Sequence, residues 1–200
     1  METTPTTLQL ALLAQQAGEQ RRLLAAEPIA VIGLGLRCPA GVDRPDLSTP
    51  EGFWAFLLEG GCAVREVPPE RWSWQAYART IQSRFGAFLQ QVDQFDPAFF
   101  GISPREVRAM DPQQRLVLEV AQEALDRAGY GAGQLAGSRT GVFLGLCTTD
   151  YAWRQLRPGL ADDALDMYFA TGTSFAVAAG RLGHWLGPVS YTHLTLPTKA

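Results

Sequence analysis

An α/β fold is predicted by three features of the sequence. Pro28-Ile29-Ala30-Val31-Ile32-Gly33 is a short apolar, β-branched run closed by glycine, the pattern of a strand buried on both faces. Thr140-Gly141-Val142-Phe143-Leu144-Gly145-Leu146 repeats that pattern. Between the two runs lies a capped amphipathic helix, and strand, helix and strand in this order predict a layered α/β domain with right-handed crossovers.

Taken in order, residues 1–26 begin with a Thr/Pro cluster and then carry Leu8, Leu12, Leu13, Leu23 and Leu24 among Ala, Gln and Arg. A helix of modest length is expected, either a solvated lead-in or a short docking segment, since the leucines span too few heptads for a sustained coiled coil. After the first strand, Gly33-Leu34-Gly35 looks like the start of a dinucleotide fingerprint. The third glycine is absent, however, and Pro39-Ala40-Gly41 stands where the phosphate-binding helix would open. Pro50 to Gly60 reads as a short amphipathic helix with a glycine stop. Val67-Pro68-Pro69-Glu70-Arg71-Trp72 is expected to be extended, because each proline disfavours helix at the residue before it. Ser73 to Phe85 reads as a surface loop, followed by a turn at Gly86-Ala87-Phe88-Leu89.

The strongest local signal is Asp111-Pro112-Gln113-Gln114-Arg115-Leu116. Asp111 is a good N-cap, Pro112 suits the first helical position, and Gln114 stands at N3, where it would complete a capping box. Beyond it Leu116, Val117, Val120, Ala121, Ala124, Leu125 and Ala128 form an apolar stripe, and Gly129 supplies the stop. A loop over Gly133 to Ser138 leads into the second strand, which Cys147-Thr148-Thr149-Asp150-Tyr151 caps. Farther on, Asp166 to Gly172 leads into Thr173 to Gly187, where Ala176, Ala178, Ala179 and Gly180 permit close helix packing.

Composition excludes several classes. The chain of 200 residues is 46% hydrophobic and 18% charged, with a net charge of −3, ordinary for a globular chain and without a basic stripe for nucleic acid. Its longest apolar runs are far shorter than the roughly 20 residues a membrane-spanning helix needs. Cys38, Cys62 and Cys147 are too widely spaced for a disulfide framework or a zinc site. With no basic and apolar leader at the N-terminus, this points to a reducing cytoplasm. Cys147, at a strand end, is expected to be a buried structural thiol, since no base stands near it in sequence. His184 is expected to be structural or on the surface.

FDPAFFGISPREVRAMDPQQRL, with its two Asp-Pro steps and double Phe, resembles the N-terminal half of the beta-ketoacyl synthase domain of modular type I polyketide synthases. EPIAVIGLGLRCPAGV resembles the opening of the same domain, departing from its usual pattern at Leu36 and Cys38, and VPPERW is a further hallmark. The resemblance covers about Glu27 to Gly187. After Gly187 it leads one to expect a strand and sharp turn presenting a nucleophilic cysteine in a DTACSS-like sequence, which these 200 residues do not contain. Val189 to Thr198 can instead be spelled GTC TCT TAT ACA CAT CTG ACG CTG CCG ACG, which resembles a transposon-end adapter used to prepare sequencing libraries. His193 then carries no functional meaning.

The organisation expected is therefore a helical docking or linker segment at 1–26, an incomplete beta-ketoacyl synthase N-terminal domain at 27–188, and adapter-derived residues at 189–200. The resemblance implies a thiolase-like layered αβαβα fold, of which only the N-terminal part is present, usually dimeric. It implies a beta-ketoacyl-[acyl carrier protein] synthase of polyketide or fatty-acid biosynthesis. In such an enzyme a cysteine thiolate and two histidines catalyse decarboxylative C–C bond formation. The expected partners are acyl carrier protein, a downstream acyltransferase domain and a second copy in the homodimer, with no nucleic acid and no membrane. No cofactor is expected to bind directly, and acyl groups would arrive on phosphopantetheine. No catalytic, cofactor-binding or metal residue is carried over to this sequence, so inactivity is expected. The alternative is a non-catalytic fragment limited to partner docking.

Overall fold

The computed structural model describes residues 11–12, 14–19, 29–131, 133–157 and 167–187, together with the backbone of 191–195. The chain divides into two compact units, Met1–Ile32 and Gly33–Ala200. In the first, residues 11–12 and 14–19 are helical and exposed. Leu8, Leu13, Leu23 and Leu24 lie outside the described residues. The expected buried strand at Pro28 to Gly33 does not form. Residues 29–33 carry no regular structure, and Ile29, Val31 and Ile32 are 96%, 83% and 62% exposed. A strand apolar on both faces holds only between neighbours, and among the described residues none pairs with this one.

The second unit begins against its longest helix. Helix α1 spans Pro50–Leu58, with Thr49 Oγ1 accepting from the Gly52 N–H. It buries Phe56, while Trp54, Leu57 and Leu58 stay exposed. Strand β1, Val64–Glu66, pairs antiparallel with β2, Phe85–Ala87. Part of the expected Gly86 to Leu89 turn is thus strand, because Gly86 lies opposite Arg65 in the ladder. Val67 and Pro68 follow without regular structure and a turn begins at Pro69, closed by the Arg71 N–H on the Pro68 carbonyl. The predicted loop after it contains a 3-10 helix at Trp74–Tyr77.

Two helices then meet end to end. Helix α2, Pro104–Ala109, is capped by Ser103, whose Oγ accepts from the Glu106 N–H at 3.2 Å. Helix α3, Pro112–Arg127, is opened by Asp111 as the sequence predicts, and Gly129 adopts φ 79° just past its end. Its most buried residues are Gln114 and Leu118, offset from the predicted stripe, whose members are half-buried. The reason is that α3 packs on two sides. Leu118, with Val117 and Ala121 beside it, joins the core, while Val120 and Ala124 meet the segment at Gly33 and Gly35. A β-carbon on Gly33 would strike the Ala124 carbonyl oxygen, and one on Gly35 the Val120 carbonyl oxygen. The two glycines therefore serve close backbone approach to a helix and not a phosphate.

Strand β3, Gly141–Gly145, matches the prediction in place but not in burial, since Val142 is buried and Phe143 is 70% exposed. Only one of its faces is covered. Helix α4, Asp150–Gln155, follows. The small-residue stretch is two helices, α5 at Tyr168–Thr173 and α6 at Phe175–Trp185, broken at Ser174 with ψ 127°. Ala178 and Ala179 are buried on α6, in keeping with the close packing that their small size permits. Strand β4, Tyr191–Thr195, pairs parallel with β3. The core joins Phe100, Met110, Leu118, Val142, Ala179 and Leu182. Of the double Phe of the central motif, Phe100 belongs to it and stacks on Phe95 at 5.0 Å, while Phe99 is half exposed, and both rings contact Trp185.

Candidate functional site

The elements converge on the start of α3. The Asp111 carboxylate accepts from the Gln113 N–H at 2.8 Å and from Gln113 Nε2 at 3.2 Å. Gln113 Nε2 also donates to the Thr148 carbonyl at 3.0 Å, tying the cap to the end of β3. From α4, Tyr151 donates its hydroxyl to the Arg108 carbonyl at 2.7 Å and Gln155 its amide to the Ala109 carbonyl at 3.1 Å.

Gln114 departs from the predicted capping box. Its amide does not return to the Asp111 N–H, which donates to the Gly172 carbonyl at 2.9 Å. The Gln114 amide nitrogen faces the carbonyls of Thr171, Gly172 and Ser174 at 3.2, 2.9 and 3.2 Å. Its oxygen accepts from Arg181 Nε at 3.2 Å, and Arg181 also bridges to Glu106. Gln114 is 3% exposed, and a buried amide takes the partners its surroundings offer. Those partners are the backbone carbonyls around the α5–α6 break. Gly172 itself lies close against the backbone of Ala109 and Met110, where a β-carbon would strike the Ala109 carbonyl.

A second polar cluster lies along α3. Arg37 bridges Glu119 at 3.9 Å and contacts Glu123 more closely. A cavity of about 340 Å³ opens over Arg37, Asp46, Gln90, Leu116 and Glu119. Burial pushes the Glu119 carboxyl above the usual carboxylate range. Arg37 and Arg115 oppose that shift, and Glu123 adds to it.

With this geometry in place, the likeness to known proteins has a structural frame. The family model for the beta-ketoacyl synthase N-terminal domain matches residues 26–189. The chain belongs to the beta-ketoacyl synthase family. It is 46% identical over 163 residues to erythronolide synthase EryA3 of Saccharopolyspora erythraea, a span of 82% of this chain and 5% of that one. It is 43% identical over 194 residues to the spectinabilin polyketide synthase system protein NorA' of Streptomyces orinoci, covering 92% of this chain and 5% of the relative. Among solved structures it resembles the ketosynthase from module 6 of the bacillaene synthase of Bacillus subtilis 168, with 28% identity and a TM-score of 0.62 over 82% of this chain and 26% of that one. The oxazolomycin ketosynthase domain OzmH KS7 of Streptomyces albus gives 29% and 0.69, over 85% of this chain and 29% of that one. The chain thus spans a small part of these curated relatives and under a third of the solved ketosynthases. The predicted thiolase-like α/β class holds, and the likenesses favour a synthase fragment over the docking-only alternative.

Within this ketosynthase segment, the residues singled out from the sequence fall as follows. Cys147 is exposed, against the expectation of a buried thiol. Leu146 takes the buried place at the end of β3, and Cys147 follows it into the loop. All three cysteines are free, Cys38 half-buried and Cys62 exposed. His184 is exposed in the last turn of α6, and the side chain of His193 lies outside the described residues. Among the described residues no three of His, Cys, Asp or Glu gather as a metal site. The junction at Asp111 and Gln114 thus spends its polar groups, the Asp111 carboxylate included, on holding backbone and side-chain partners in place. Sequence reasoning missed Arg181 and Gly172. Both had a signal, a lone charge in a small-residue helix and a glycine inside a helical pattern. It also missed α2, although Ser103-Pro104-Arg105-Glu106 carries the same capping pattern as the motif that was recognised.

Proposed function

We propose that this chain is the N-terminal part of a beta-ketoacyl-[acyl carrier protein] synthase acting in polyketide assembly in the cytoplasm. The match of the family model over residues 26–189 carries the reading. In the intact synthase a cysteine thiolate attacks the acyl thioester on carrier-protein phosphopantetheine and expels the pantetheine thiol. Two histidines then assist decarboxylation of a malonyl-type extender, whose enolate carbon attacks the enzyme-bound acyl group and releases the cysteine. Acyl carrier protein, a downstream acyltransferase domain and a second synthase copy are the partners. The described segment contributes scaffold: its backbone junction at Gln114 holds α2, α3, α5 and α6 in one arrangement.

These 200 residues are inactive alone, because they contain no DTACSS-like nucleophile, and among the described residues no histidine or carboxylate hydrogen-bonds to Cys147. Residues 189–200 come from an adapter and not from the synthase gene, which sequencing the source gene past the codon for Gly187 tests. To test the function, the purified chain is incubated with acyl and malonyl thioesters of carrier protein and analysed by intact-protein mass spectrometry. No condensation product and no acylated chain are expected. A stable acyl thioester on Cys147, lost in Cys147→Ala, would overturn the proposed inactivity.

A further inference from the structure

The cavity over Arg37 and Glu119 has an unbalanced polar lining. Its ionisable side chains are Arg37, Asp46 and Glu119, one more negative than positive when all are charged. Arg37 is moreover drawn to α3, where it bridges Glu119 at 3.9 Å and meets Glu123, outside the lining, more closely. Asp46 Oδ2 accepts from the Gln90 N–H at 2.7 Å. Its Oδ1 is buried and has no hydrogen-bond partner among the described residues. A buried carboxylate oxygen without a donor is costly. Glu119 is in a similar position, because burial outweighs the pull of Arg37 and Arg115 on its carboxyl and Glu123 repels it. Both carboxylates therefore call for a positively charged N–H donor. The cavity measures about 340 Å³, within the roughly 300–1,000 Å³ of small-molecule sites, and Leu89 and Leu116 give it apolar wall.

We infer that this cavity is a binding site for a small organic cation, a primary ammonium on a short apolar stem. The ammonium donates to Asp46 Oδ1 and lies within reach of the Glu119 charge, while the stem covers Leu89 and Leu116. The loop bearing Asp46 and helix α3 supply the two charges, so the site needs both elements in place.

Amide chemical-shift titration of the full chain with n-butylammonium chloride, at constant ionic strength, tests it. The Gln90 N–H reports directly, since it donates to the other oxygen of Asp46. It should shift saturably with a Kd of about 1 mM or below. Tetramethylammonium carries the same charge without an N–H donor and should leave Gln90 unshifted up to about 100 mM. Asp46→Asn and Glu119→Gln should each weaken n-butylammonium binding at least about tenfold. Glu51→Gln removes an exposed carboxylate on α1 and should leave binding within about twofold of the parent. Absence of a saturable shift with n-butylammonium overturns the inference, as a cavity filled by water alone would give. An equal response to both cations overturns it as well, as does parental affinity in Asp46→Asn. If a variant loses the dispersed spectrum of the parent, the comparison of the two cations on the parent chain decides alone.

Discussion

Gln114 concentrates more polar contacts than any side chain around it, and its removal has a definite consequence. Gln114→Leu leaves the carbonyls of Thr171, Gly172 and Ser174 and the Arg181 guanidinium without their amide partner. The Gly172 carbonyl keeps the Asp111 N–H, the Ser174 carbonyl keeps the Ala178 N–H and Arg181 keeps Glu106, so the Thr171 carbonyl loses most. At about 1–3 kcal/mol for an orphaned group, with the others losing one partner each, a loss of about 2–4 kcal/mol is expected after relaxation. Urea denaturation checks it, and an unchanged midpoint would mean that the amide is not needed. Glu119 yields a prediction in pH. Burial raises its folded pKa above the unfolded value, so the folded state holds the proton more tightly. The stabilisation is complete below the unfolded pKa and is lost as pH rises through the folded one. Stability should therefore fall across the upper carboxylate range as pH rises, and Glu119→Gln should flatten that fall and stabilise the chain near neutrality. Denaturation midpoints measured against pH for both proteins decide the matter. A midpoint lowered at pH 7 by Glu119→Gln would show that the Arg37 attraction outweighs burial.

Helix α3 shows how an element can be legible in extent and misread in orientation. Its cap, its proline and its glycine stop act through bonds local to the chain, and all three are where the sequence puts them. The depth of each residue depends on what packs against the helix, and here both the core and the Gly33 to Gly35 segment do. Leu118 is 1% exposed and Leu116 is half-buried. Leu118→Ala should cost about 2–5 kcal/mol and Leu116→Ala clearly less, with the cavity left behind setting the difference. Asp111→Ala should cost about 1 kcal/mol for the cap alone. Equal midpoints for the Leu116 and Leu118 variants would contradict the observed orientation.

Across the whole molecule, apolar surface is the dominant liability. Ile29, Val31, Trp54, Leu58, Phe143 and Trp153 are each more than half exposed, and β3 is covered on only one face. Exposed apolar residues on this scale promote association. The purified chain is expected to scatter light increasingly with concentration and to unfold over a broad transition, whose midpoint still orders the variants above. A cooperative two-state unfolding curve from a soluble monomer would show that it is an autonomous domain.

The elements that the sequence by itself determined are those closed by short-range chemistry. The cap at Asp111 and the glycine stops each depend on residues a few positions apart, whereas the strand at Gly141 to Gly145 is legible as an apolar run but is completed by residues about 50 positions on. The motif wording also determined the family, because each of its parts has a local or packing role: Asp-Pro opens a helix and the double Phe meets Trp185. Tertiary structure decided what long-range partners alone can settle. It turned Gln114 from a capping residue toward carbonyls roughly 60 residues away, since a buried amide follows the nearest acceptors and not its place in a motif. It left Cys147 exposed and Ile29 to Gly33 unpaired, because burial is a property of neighbours, and an apolar run specifies only its need for them.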